Sequence, residues 1–122
     1  MRNVVVLFFL LVAVTSVSAT VDPALINGTY ATGPKFLPTE ADVTLTVTNA
    51  STSDNTFTPS LNVDGVYQTG CTGSFSFNTD VQLADGLVVT CSADTFVFSR
   101  VALMYFVLRD STSGLLGIAS KK

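Results

Sequence analysis

The side chains able to do chemistry are few and far apart. The chain of 122 residues carries two cysteines, nine carboxylates, six basic residues and no histidine. Without His, nucleophile–His–acid catalysis and His-containing zinc sites are excluded. Cys71 and Cys91 cannot make a four-cysteine metal site, but in an exported chain a pair of cysteines suits a disulfide. Asp80, Asp85 and Asp94 lie close enough in sequence to suggest a carboxylate acid–base pair, which would make a hydrolase. Asp54, Asp64, Asp80 and Asp85 offer the loop oxygens that calcium takes, without EF-hand spacing. Most of these aspartates stand in turn sequences, where a carboxylate accepts from the local backbone. The residues therefore assign no catalytic group, no metal and no cofactor.

The remaining candidates are surface chemistry. Asn27-Gly28-Thr29 and Asn49-Ala50-Ser51 are N-glycosylation triplets, usable if the chain passes through a eukaryotic secretory route. Tyr67 and Asn62, on the polar face of a hairpin, are the candidate partner contacts, and Tyr30 is a further one, because an amphipathic ring suits an interface. Phe75, Phe77, Phe96, Phe98 and Phe106 are either plain core or the lining of a calyx for a small apolar ligand.

The elements that must position these residues begin after residue 19. Arg2, the apolar run Val4 to Val14 and the small-residue ending Val17-Ser18-Ala19 have the form of a secretory signal peptide, residues 1–19. That run is too short for a membrane span, which needs about 20 apolar residues. Residues 20–40 hold three of the four prolines and read as an irregular extended arm, with a short strand around Ile26 to Thr32. Residues 41–122 read as a single β domain.

Val43, Leu45 and Val47 alternate with threonines, the period of a half-buried strand. Asp64-Gly65 supplies the positive φ values of a two-residue hairpin, which pairs Val63 with Val66 and Asn62 with Tyr67. Pro59 marks a strand start or a sheet edge. Cys71, Gly73, Phe75 and Phe77 share one face of the next strand, and a second Asp-Gly, Asp85-Gly86, predicts a second hairpin. Thr95 to Asp110 reads as two strands or one bent strand with a bulge at Ser99-Arg100, since its β-branched and aromatic density opposes a helix. Leu115 to Ala119 is the last strand.

The fold class is therefore all-β, a small, mostly antiparallel β-sandwich or barrel of about eight short strands with no helix. One tension stands. If the strands on either side of Asp85-Gly86 pair in order with tight turns, Cys71 and Cys91 fall at opposite ends of strands about 15 Å long. A bridge needs Cα atoms within about 7 Å. Either the strands do not pair consecutively or the cysteines do not pair with each other.

The function expected is that of a secreted, extracellular, non-catalytic β-domain acting as a binding or structural module. A barrel-type carrier of a small hydrophobic ligand is the alternative, and a carboxylate hydrolase stands behind both. The partner is a protein or a carbohydrate. A net charge of −3 with no basic cluster apart from Lys121-Lys122 argues against nucleic acid, and no membrane anchor is expected. Self-assembly could proceed through the 20–40 arm or the terminal strand, either of which could add to a neighbour's sheet edge.

Overall fold

The computed structural model describes residues 22–34, 38 and 40–122. The expected signal peptide lies outside the described residues. Nine strands follow a single 3-10 turn at Pro23–Leu25: β1 (Gly28–Thr32), β2 (Val43–Ser51), β3 (Thr56–Val63), β4 (Val66–Tyr67), β5 (Thr72–Asn78), β6 (Leu83–Thr90), β7 (Thr95–Ala102), β8 (Tyr105–Asp110) and β9 (Gly114–Lys121). They pair in the order β2-β1-β9-β8-β7-β6-β5-β3-β4, and β2 also pairs with β3. The result is a closed, antiparallel barrel of eight strands with β4 as an extra strand. Of the two architectures expected, the barrel is the one formed.

The wall strands alternate, apart from the bulge at Leu116-Gly117 in β9, because one face fills the cylinder and the other meets water. On β2, Val43, Leu45 and Val47 are buried, and on β6 Leu87 and Val89 are. Phe96, Phe98, Phe106 and Leu108 add β7 and β8 to the same core. The short strand expected near Tyr30 is β1, and it is a stave rather than part of a free arm: Tyr30 lies opposite Leu45 on one side and Lys121 on the other. Its sequence looked irregular because only Ile26 and Tyr30 point inward there, too few to display a period.

The cysteine tension resolves in the turn. The strands do pair consecutively, but the β5–β6 turn is at residues 79–82, not at Asp85-Gly86. Asn78 Oδ1 accepts from the backbone N–H of Asp80 at 2.9 Å, and Gln82 takes the left-handed conformation at φ 58°. The local hydrogen bonding of Asn78 thus supplies the turn. Asp85 and Gly86 sit inside β6 at a bulge, where the Asp85 carboxylate receives Arg100 across the ladder at 2.7 Å. Moving the turn slides the register so that Thr72 faces Thr90. Cys71 then faces Cys91 with Cα atoms 4.0 Å apart, and the two form a disulfide.

Pro59 is neither at a strand start nor at an outer edge, but inside β3 opposite Val47. Two residues on, the Leu61 carbonyl accepts from the N–H of Gln68, so the proline nitrogen points to the same side. There β4 has ended at Tyr67 and β5 has yet to begin at Thr72. The missing N–H falls in a gap in the ladder, where none is needed.

Candidate binding surface

The expected hairpin pairing is formed. Asp64 (φ 51°) and Gly65 (φ 86°) make the hairpin turn, Asn62 pairs with Tyr67, and Asn62 Oδ1 accepts from the N–H of Gly65 at 2.9 Å. Tyr67 is 67% exposed and Val66 62%. Tyr30, by contrast, is a core residue, 1% exposed. Its hydroxyl donates to the Ile26 carbonyl at 2.6 Å, its ring meets Phe106 edge-on at 5.4 Å, and Lys121 Nζ lies 5.8 Å from its centroid. Burial pushes its pKa up to about 12. Lys121 also donates to the Leu25 carbonyl at 2.7 Å, tying the 3-10 turn across the barrel end, and burial lowers its pKa.

The aspartates do not converge. Asp80 lies in the turn before β6 and Asp94 in the turn after it. An eight-residue strand of roughly 25 Å separates them. Asp94 Oδ1 accepts from the N–H groups of Thr95 and Ser111 and from the Ser111 hydroxyl, which does most to hold its carboxyl below the ordinary value. Asp110 accepts from the backbone of Thr112, Ser113 and Gly114. These carboxylates build turns. Among the described residues no cluster of three or more His, Cys, Asp or Glu could hold a metal ion.

The two glycosylation triplets differ in setting. Asn49 is exposed at φ 54°, in the irregular end of β2. Asn27 is half-buried, and its Oδ1 accepts from the N–H of Ala50 at 3.0 Å. Of the phenylalanines, Phe75, Phe96, Phe98 and Phe106 are buried at 6%, 3%, 0% and 3%, and Phe77 packs against them half-buried.

The sequence reading missed the outer wall of β7, β8 and β9. Among the described residues ten large apolar ones are exposed, and seven of them lie on this wall or its β7–β8 tip: Val97, Val101, Leu103, Met104, Tyr105, Leu115 and Ile118. Ala102 pairs with Tyr105, so Leu103 and Met104 form a two-residue hairpin tip. Such a tip normally carries Asn, Asp or Gly, because its residues take positive φ. Among the described residues the other non-glycine ones at positive φ are Asn49, Asn55, Asp64 and Gln82, all polar; Leu103 (φ 39°), 74% exposed, breaks the pattern. Beside the tip is a groove with a cavity volume of about 190 Å³, lined by Thr32, Pro34, Ala41, Tyr105, Gly117 and Ile118 among others. The signal was present in the sequence: Thr95 to Asp110 is apolar on both faces, more than one barrel interior requires.

Comparison with models of protein families, with curated proteins and with solved structures finds no match. Among the described residues no helix is long and apolar enough to cross a membrane.

Proposed function

We propose that the chain is a secreted, non-catalytic binding module whose working surface is the outer wall of β7, β8 and β9. The observation that carries this reading is that, of the ten exposed large apolar residues among those described, five lie on β7, β8 and β9 and two more form the Leu103–Met104 tip that joins β7 to β8. Monomeric proteins scatter such residues, and contiguous apolar patches mark interaction sites. Export is supported by the n-region, apolar run and Val17-Ser18-Ala19 ending, and by the disulfide, which persists in oxidising compartments.

Two further observations favour binding over the alternatives. Phe75, Phe96 and Phe98 are packed as core, whereas a carrier needs room beside them. Asp80 and Asp94, the best pair for a hydrolase, stand at opposite ends of β6. The test is photo-crosslinking from a probe residue placed at Ile118, compared with one at Thr44 on the opposite wall, in the extracellular fluid of the source. Capture of a protein or carbohydrate from position 118 alone supports the reading. Equal capture from both, or none from either, overturns it.

A further inference from the structure

The outer wall of β7–β9 combines a knob and a hole. The knob is the Leu103–Met104 tip, where Leu103 is 74% and Met104 47% exposed. The hole is the adjoining groove, lined by Thr32, Pro34, Glu40, Tyr105, Gly117 and Ile118 among others. Tyr105 belongs to both, as the residue after Met104 and as part of the groove lining.

The dimensions say what fits. The cavity of about 190 Å³ falls short of the roughly 300–1,000 Å³ of clefts that hold small organic ligands, but it accepts an aliphatic side chain. Around the tip and groove, Val101, Leu103, Met104, Tyr105 and Ile118 are all about half exposed or more and leave on the order of 500 Å² of residue surface, at the upper end of a single monomer patch, so two copies facing each other across an axis reach about the 1,000 Å² that a specific interface requires. A surface carrying both a projection and a recess, side by side, is self-complementary under a two-fold axis.

We propose that the occupant of this wall is a second copy of the chain, in a two-fold dimer in which Leu103 of each protomer enters the Ile118–Pro34 groove of the other. The axis runs close to Tyr105, so the two tyrosines meet and each tip lies over the opposite groove. The proposal rests on the binding-module reading above and deepens it, by naming the partner of the same wall. It also accounts for Leu103. A leucine held at positive φ is strained where Asn or Gly would not be, and as a dimer contact it has a reason to be there. Strand addition at β1 or β9 finds no free edge, because β1 is paired with both β2 and β9, and β9 with both β1 and β8.

The experiment is sedimentation equilibrium of the disulfide-bonded, signal-free protein and of three variants, across a wide concentration range. The natural chain is expected to dimerise, and Leu103→Lys and Ile118→Glu each to weaken the dimer by at least tenfold. An equimolar mixture of these two variants should regain it, since one of the two contacts then places Lys against Glu while the other stays native. Leu103→Asn is expected to weaken the dimer while raising the protomer's thermal midpoint at low concentration by a few degrees. That combination separates loss of contact from loss of fold. A natural chain that stays monomeric at all concentrations, or a mixture that fails to associate, overturns the dimer. Crosslinking of a different molecule at position 118 would then still support the binding module, whereas its absence as well would sink both.

Discussion

Gly73 of β5 lies directly opposite Phe57 of β3, and the Phe57 ring occupies the space that a Cβ on Gly73 would need. Gly73 is absent from the residues at positive φ, so room rather than backbone conformation requires glycine here. Both residues are buried. Gly73→Ala should therefore destabilise the barrel by about 1–3 kcal/mol, the usual cost of overpacking. In a Phe57→Leu background the added cost of Gly73→Ala should shrink, a coupling that a double-mutant cycle by urea unfolding measures. Equal costs in both backgrounds would assign the glycine another role.

The Cys71–Cys91 bridge closes a loop with a sequence separation of 20. Loop-closure entropy gives such a link about 3 kcal/mol, a large share of what a domain this small can hold. Cys71→Ser/Cys91→Ser should lower the urea midpoint accordingly. Cys91 is buried among core residues and Cys71 packs against them, so the double change to Ala should cost somewhat less than the change to Ser. Mass spectrometry with an alkylating agent should find no free thiol before reduction and two after it.

How much of this was legible depended on whether a signal was local. Alternation on Val43, Leu45 and Val47, and Asp64-Gly65 between Val63 and Val66, are short-range patterns, and both strand and hairpin stand as read. Asp85-Gly86 carried the same dipeptide signal, yet its carboxylate serves Arg100 across the ladder, fifteen residues away. The competing turn depends on the Asn78 side chain and on Gln82 at positive φ, which composition does not announce. Tyr30 looked like a contact residue because its partners, Phe106 and Lys121, arrive from the far end of the chain. The β7–β9 wall escaped for a different reason. Apolar residues on both faces of Thr95 to Asp110 say that a second surface is apolar, but only closure of the barrel decides that it faces outward.

Tyr30 gives a test at alkaline pH. Its pKa is raised to about 12 by burial, against about 10 in the unfolded chain. Below pH 10 the phenol is neutral in both states, and its contribution is fully present. Between about 10 and 12 the unfolded chain releases its proton first, so stability falls as pH rises. Tyr30→Phe should cost about 1–2 kcal/mol at neutral pH, through loss of the bond to the Ile26 carbonyl, and should lose less stability than the natural chain across the alkaline window. Urea unfolding at a series of pH values reads both effects. An alkaline loss equal in the two proteins would show that Tyr30 does not cause it.

Asp94 gives the matching test in acid. The Ser111 hydroxyl, then the backbone N–H groups of Thr95 and Ser111, hold its carboxyl below the ordinary value. A depressed folded pKa stabilises the fold above the unfolded value near 4, and the contribution disappears as pH falls through the lower, folded value. These contacts tie the β6–β7 turn to the β8–β9 turn at one end of the barrel, so removing one should loosen both. Ser111→Ala should lower stability by about 1 kcal/mol at pH 7, the worth of a hydrogen bond to a charged group at the surface. That difference should narrow steadily below pH 4, where Asp94 is becoming neutral in both proteins. A gap that stays constant into strong acid would mean that the Ser111 hydroxyl stabilises the turn through its packing and not through the Asp94 charge. Amide hydrogen exchange at Thr95 and Ser111 provides the local readout. Both should exchange faster in the variant at pH 7, while the Ala41 N–H, which donates to Leu116 at 2.9 Å, keeps its protection.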